Sequence, residues 1–106
     1  MIVTTCNEVI GHRASQYLGI VRGIVVRSPT IKQGIFGGIK SIFGGNIESY
    51  ARVCDDARKE AFERMVHTAE ALGADAILGM RYDATEFAPS TTEVLAYGTA
   101  VKLVRE

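Results

Sequence analysis

Four side chains in this sequence are soft metal ligands: Cys6, His12, Cys54 and His67. Two thiolates and two imidazoles make the donor set of a tetrahedral zinc or other heavy-metal site. Their spacing argues against one chain building it, because no two of them stand two to four residues apart. Cys54 falls in the apolar stripe of a predicted helix and reads as a small core residue. His67 falls outside that stripe and reads as solvated, or as a charge near the helix end. Cys6 and His12 share a turn-rich stretch and could chelate as a pair. A site shared between copies of the chain would multiply the ligands.

A second constellation consists of Arg58 on the predicted helix, Arg81 and Tyr82 on one predicted strand, and Glu93, Tyr97 and Thr99 on the next. Such a grouping can bind an anion or polarise a carbonyl. The simpler reading is a polar network at the sheet–helix or subunit junction. Covalent catalysis finds no support: Ser15, Ser28, Ser41, Ser49 and Ser90 lack a glycine-rich elbow. Asp55 and Asp56, adjacent on a helix, point apart and cannot share a proton.

The elements that must position these groups follow from periodicity. Residues 2–4 read as a short strand, and Asn7, Gly11 and His12 as a turn or weak strand. Residues 17–27 are β-branched and end at Ser28-Pro29, the strongest strand signal of the first half. Gly19 and Gly23 within it predict a bulge or a close backbone approach. Ile35-Phe36-Gly37-Gly38 recurs as Ile42-Phe43-Gly44-Gly45, and helical spacing predicts a short amphipathic helix over 31–45. No Gly-Lys-Ser/Thr run stands among those glycines and no strand directly precedes them, which argues against a phosphate cradle. Residues 47–72 predict a long helix with Ile47, Tyr50, Cys54, Ala57, Ala61, Met65 and Leu72 as its stripe and Gly73 at its end. Residues 75–83 predict a strand, with Ala76, Leu78, Met80 and Tyr82 on one face. A polar loop over 84–92 and a closing strand over 93–104 follow. The second strand has a small-residue face, Ala96, Gly98 and Ala100, suited to a covering helix or a second subunit. The order predicts an α+β fold: a small antiparallel sheet covered on one face by a short and a long helix.

At 106 residues the chain has the size of one domain, 1–106. Hydrophobic residues at 47% and charged residues at 23% exclude a disordered tail. Twelve basic against twelve acidic residues give no net charge, which disfavours nucleic acid and anionic membranes as partners. No apolar run approaches the ~20 residues of a membrane span, and no targeting signal is evident, so a cytoplasmic location is expected. The zero is unevenly spread. Residues 1–47 carry Arg13, Arg22, Arg27, Lys32 and Lys40 against Glu8, a net +4, and residues 48–106 balance it with −4. Self-association with the acidic helix of one copy near the basic half of its neighbour follows as an expectation.

Gly44-Gly45, Tyr50, Ala57-Arg58, Ala61, Met65, Leu72-Gly73-Ala74, Ala76 and Arg81-Tyr82-Asp83 form a pattern with Glu93 and Ala96-Tyr97-Gly98-Thr99-Ala100-Val101. With Leu18-Gly19-Ile20-Val21 and Gly23, the chain resembles the YbjQ-like family over essentially its whole length. That family is associated with heavy-metal binding and its function is largely unknown. The resemblance implies a small α+β fold laid out like a dodecin subunit and assembled as a ring, a homopentamer. It also implies a divalent heavy metal or small ligand held at subunit junctions. The matched positions hold glycine, arginine, tyrosine, glutamate and threonine, and none of the four soft ligands. Asn46 stands where the family pattern leads one to expect an acid. The expected protein is a non-enzymatic, self-associating binding protein. The alternative is a small enzyme in which Arg58 and Arg81 hold an anion between subunits and Tyr97 or Glu93 acts as acid or base.

Overall fold

The computed structural model describes residues 1–27, 47–88 and 91–106. The predicted short helix, its glycine repeat and Asn46 lie outside the described residues, as does Pro89. Within them the order is β1 (Ile2–Val3), β2 (His12–Arg27), α1 (Ile47–Ala71), β3 (Ala76–Ala88) and β4 (Thr91–Arg105). The strands form one sheet in the order β1-β3-β4-β2, with α1 packed on one face. The fold is α+β. The sheet is mixed rather than antiparallel throughout, because β1 runs parallel to β3.

The core sits between α1 and that face. Ala57, Ala61, Met65 and Ala69 of the helix are buried against Val21 and Val25 of β2, Ile77 and Met80 of β3, and Val94, Ala96 and Ala100 of β4. Met65, Ile77, Val21 and Val25 are the large buried side chains, each contributing about 1.5–3 kcal/mol by leaving water. The small face of β4 therefore serves the covering helix. Ala57, Ala61 and Met65 of the predicted stripe hold the core, and the stripe departs from it at Cys54 and Leu72. Cys54 is exposed, and Leu72, 48% exposed, lies past the helix end, while Ala69 takes the core position.

The end of α1 is specified locally. Gly73 has φ +78°; its N–H donates to the Glu70 carbonyl (2.9 Å), and the Ala74 N–H donates to that of Ala69 (3.1 Å). Those two bonds are the paired closure that a left-handed residue permits at a helix C-terminus. Asp75 then ties the chain to β4: its N–H donates to the Val101 carbonyl and its carboxylate accepts from the Leu103 N–H, both at 2.9 Å.

Three strand readings are corrected. β2 begins at His12 rather than near Tyr17, and register shifts at Ala14/Gln16 and Tyr17/Gly19 break the alternation that would mark its first part. Segment 84–88 is strand, not loop: Ala84, Thr85 and Glu86 pair with Val94, Glu93 and Thr92. Residues 81–86 are exposed, so no burial imposes apolar alternation there. In β3, Gly79 (φ +62°) occupies a bulge between Leu78 and Arg81. The extra residue reverses the phase of the strand. Ile77, Met80 and Tyr82 consequently share the helix-covered face, whereas Ala76, Leu78, Arg81 and Asp83 lie on the opposite one.

Candidate functional site

The face of the sheet away from α1 holds most of the predicted ligand-binding residues. Side chains at paired register positions share a face, so the strands set out rows across β2, β4 and β3. Ile20, Thr99 and Leu78 form one row; Arg22, Tyr97 and Arg81 the next; then Ile24, Leu95 and Asp83; then Val26, Glu93 and Thr85. Arg81, Glu93, Tyr97 and Thr99 are thus brought to one surface. Tyr82 pairs with Ala96 on the other face, and Arg58 is exposed on α1, so the sheet separates both from the other four.

The open face mixes apolar and charged groups. Ile20 is 79% exposed, Tyr97 is 37% exposed, and Ile24 and Val26 are exposed beside them. Arg22 was not singled out by sequence pattern, because only the register sets it against Tyr97. Among the described residues it has neither an ion pair nor a hydrogen bond. Tyr97, with Arg22 and Arg81 at its paired register positions, offers a hydroxyl that can donate to an anion.

Arg81 has structural work as well. Its Nη1 donates to the carbonyls of Thr5 (3.0 Å) and Met80 (2.8 Å). The N-terminal segment is laid along the bulge by further bonds, Gly79 N–H to the Cys6 carbonyl (2.8 Å) and Met80 N–H to the Thr4 carbonyl (3.0 Å). Arg81 therefore fits the polar-network reading on one side while facing the open surface on the other.

A second polar group lies on the helix side. Glu60 is ion-paired to Arg27 and, at 2.8 Å, to Arg64, whose Nη1 donates to the Ile24 carbonyl (2.6 Å). The hydrogen bond from Arg27, joined by the charges of Arg27 and Arg64, holds the Glu60 carboxyl below the usual glutamate range. Part of the charge asymmetry between the two halves is thus closed inside one chain. Glu60, Glu63, Arg64, His67 and Thr68 line a shallow depression on the helix surface.

The four soft ligands do not converge. Cys6 and Cys54 are exposed free thiols, His67 is exposed on α1, and the His12 Nδ1 lies 3.3 Å from the Ile10 carbonyl. Among the described residues no three His, Cys, Asp or Glu side chains are placed to share a metal ion. Among the same residues no helix is long and apolar enough to cross a membrane.

The described residues thus form an α+β fold with a helix on one face of the sheet and a mixed charged and apolar surface on the other. Residues 1–104 match the YbjQ family, described as "putative heavy-metal-binding". The chain belongs to that family. It is 57% identical to a UPF0145 protein of Legionella pneumophila strain Corby, over 95% of this chain and 96% of that one. It is 56% identical to a UPF0145 protein of Chromobacterium violaceum, over 96% of this chain and 87% of that one. A UPF0145 protein of Burkholderia mallei is 52% identical over 98% of this chain and 94% of its own. Among solved structures, a protein of unknown function in the DUF74 family, from Pediococcus pentosaceus, superposes with a TM-score of 0.60. It covers 100% of this chain and 98% of its own at 18% identity, a likeness of fold alone.

Proposed function

We propose that the protein is a non-enzymatic, cytoplasmic binding protein that assembles as a ring, a homopentamer of dodecin-like subunits. It holds a heavy-metal ion or a small anionic ligand at the junctions between copies. The observation that carries this reading is the open sheet face, where Arg22, Tyr97 and Arg81 form one row amid exposed Ile20, Ile24 and Val26. Exposed aliphatic groups around charge are what an interface between copies would cover. A metal site built from Cys6, His12, Cys54 and His67 would need different copies to supply them, because they are dispersed over one copy. The enzymatic alternative places Arg58 and Arg81 in a pocket between copies; the sheet stands between them within one copy, so different copies would have to supply them.

Isothermal titration with zinc, copper and cadmium tests the metal part. Heat corresponding to at least micromolar affinity is expected. Replacing Cys6→Ser together with Cys54→Ser should abolish it if thiolates are the ligands. Unchanged binding in that variant would transfer the site to the carboxylates or to the Tyr97/Arg81 group. Absence of heat with every metal would leave an anion as the ligand.

A further inference from the structure

Among the described residues the sheet has two long open edges. β2 is the outermost strand on one side, and among the described residues its outer edge pairs with no strand from His12 to Arg27. On the other side β1 covers β3 only at Ala76 and Ile77, and the segment after it reaches no further than the Arg81 side chain. From Tyr82 to Ala88 the outer edge of β3 likewise has no described main-chain partner. Unpaired N–H and C=O groups along an edge are a template for another strand, and natural sheets blunt such edges with bulges, proline or lysine. The first half of β2 is blunted by its two register shifts. The second half, Ile20–Arg27, keeps unbroken register with β4 and is rich in β-branched residues, and it contains neither lysine nor proline.

The two edges match in direction and in charge. β2 and β3 are each antiparallel to β4, so they run parallel to one another. A second copy in the same orientation would bring its β3 edge alongside β2 as a parallel pair. The open stretch of β2 carries Arg22 and Arg27 and no acid; that of β3 carries Asp83 and Glu86 beyond Arg81. Pairing β2 with another β2 would instead bring together two Arg22 side chains and no free acid, Arg27 being paired to Glu60 in its own chain. Arg22 and Asp83 both lie on the face away from α1, both are exposed, and neither has an ion-pair partner among the described residues. Among the described residues Asp83 Oδ1 accepts only the N–H of its neighbour Ala84, at 2.9 Å. The Ile24 carbonyl already accepts from Arg64, and a carbonyl has a second lone pair for a strand partner.

We infer that copies of this chain join edge to edge, the Ile20–Arg27 stretch of β2 pairing in parallel with the Tyr82–Ala88 stretch of β3 in the next copy, with Arg22 placed beside Asp83 across the joint. Such a joint is head-to-tail, so it repeats until the ring closes and no edge remains. This inference rests on the proposed self-assembly and names the surface that performs it. It also places Tyr97, one strand in from Arg22, next to every joint.

Size-exclusion chromatography with light scattering on the full chain tests it at micromolar concentration. Arg22→Asp alone and Asp83→Arg alone should each weaken association at least tenfold and release single chains. The combined R22D/D83R chain should assemble as the original does. Because both positions are exposed, circular dichroism should show all three variants folded. Should a variant not fold, Arg22→Cys with Asp83→Cys in a chain lacking Cys6 and Cys54 should form covalently linked multimers under mild oxidation, and either cysteine alone should not. Assemblies untouched by the single reversals, or a swap that fails to restore them, would overturn the edge pairing while leaving the ring standing. An original chain that is itself monomeric would overturn both.

Discussion

Gly23→Ala is expected to destabilise the fold by at least about 3 kcal/mol, the upper range for inserting an atom into a packed core. A Cβ on Gly23 would stand 2.0 Å from the Ala61 carbonyl oxygen, 2.6 Å from the Met65 nitrogen and 2.9 Å from the Arg64 Cβ. Two of those atoms belong to the helix backbone and cannot rotate away, so α1 would have to lift from β2. Lifting it would loosen the contacts of Val21, Val25, Ala61 and Met65 together. Gly98 provides an internal comparison. A Cβ there would meet the Ile77 Cγ2 at 2.5 Å, the Leu78 carbonyl at 3.0 Å and the Met80 Cα at 3.3 Å, a crowded site but without the 2.0 Å backbone clash of Gly23. Urea unfolding should rank Gly23→Ala well below Gly98→Ala in stability. A Gly23→Ala protein within about 1 kcal/mol of the original would show that the helix does not rest on this strand as described.

Met65→Ala should cost about 3 kcal/mol, within the range for truncating a buried methionine. Met65 is fully buried beneath the sheet, between Ala61 and Ala69 on the helix. Those alanines have no side chain to swing into the space left behind, so a cavity would remain. Leu72→Ala, at a position the sequence stripe also includes, should change stability little, because Leu72 is 48% exposed past the helix end. Equal losses in the two variants, measured by urea unfolding, would place the helix face where the sequence stripe put it.

That comparison marks how far the fold is legible in the sequence. The helix, its glycine stop, the β-branched strand and the small-residue face of β4 are written in local patterns that burial enforces. The ends of the helix's buried stripe are not, because Cys54 and Leu72 satisfy the periodic pattern as well as Ala69 does. The phase change at Gly79 is not legible either, since one inserted residue moves Met80 to the core and Arg81 to the open face without changing the local composition. The parallel pairing of β1 depends on a partner more than seventy residues away in sequence, and nothing within two residues of strand can signal it.

The candidate site divides along the same line. Arg81, Tyr97, Glu93 and Thr99 could be chosen by residue type, and period two on β4 already places the last three together. Arg22 is found only through the register that sets it opposite Tyr97, and Tyr82 is lost to the other face by the bulge. Arg58 sits on the helix side, which composition cannot distinguish from the open one. For the soft ligands, type alone suggested a metal, and their dispersal over one copy passes the question to the assembly.

Native mass spectrometry of protein purified from cells without chelators addresses assembly and cargo in one spectrum. The account predicts a main species of about five times the 11.5 kDa chain mass, carrying added mass from a retained metal or small anion that collisional activation removes. A spectrum of bare single chains at micromolar concentration would contradict it.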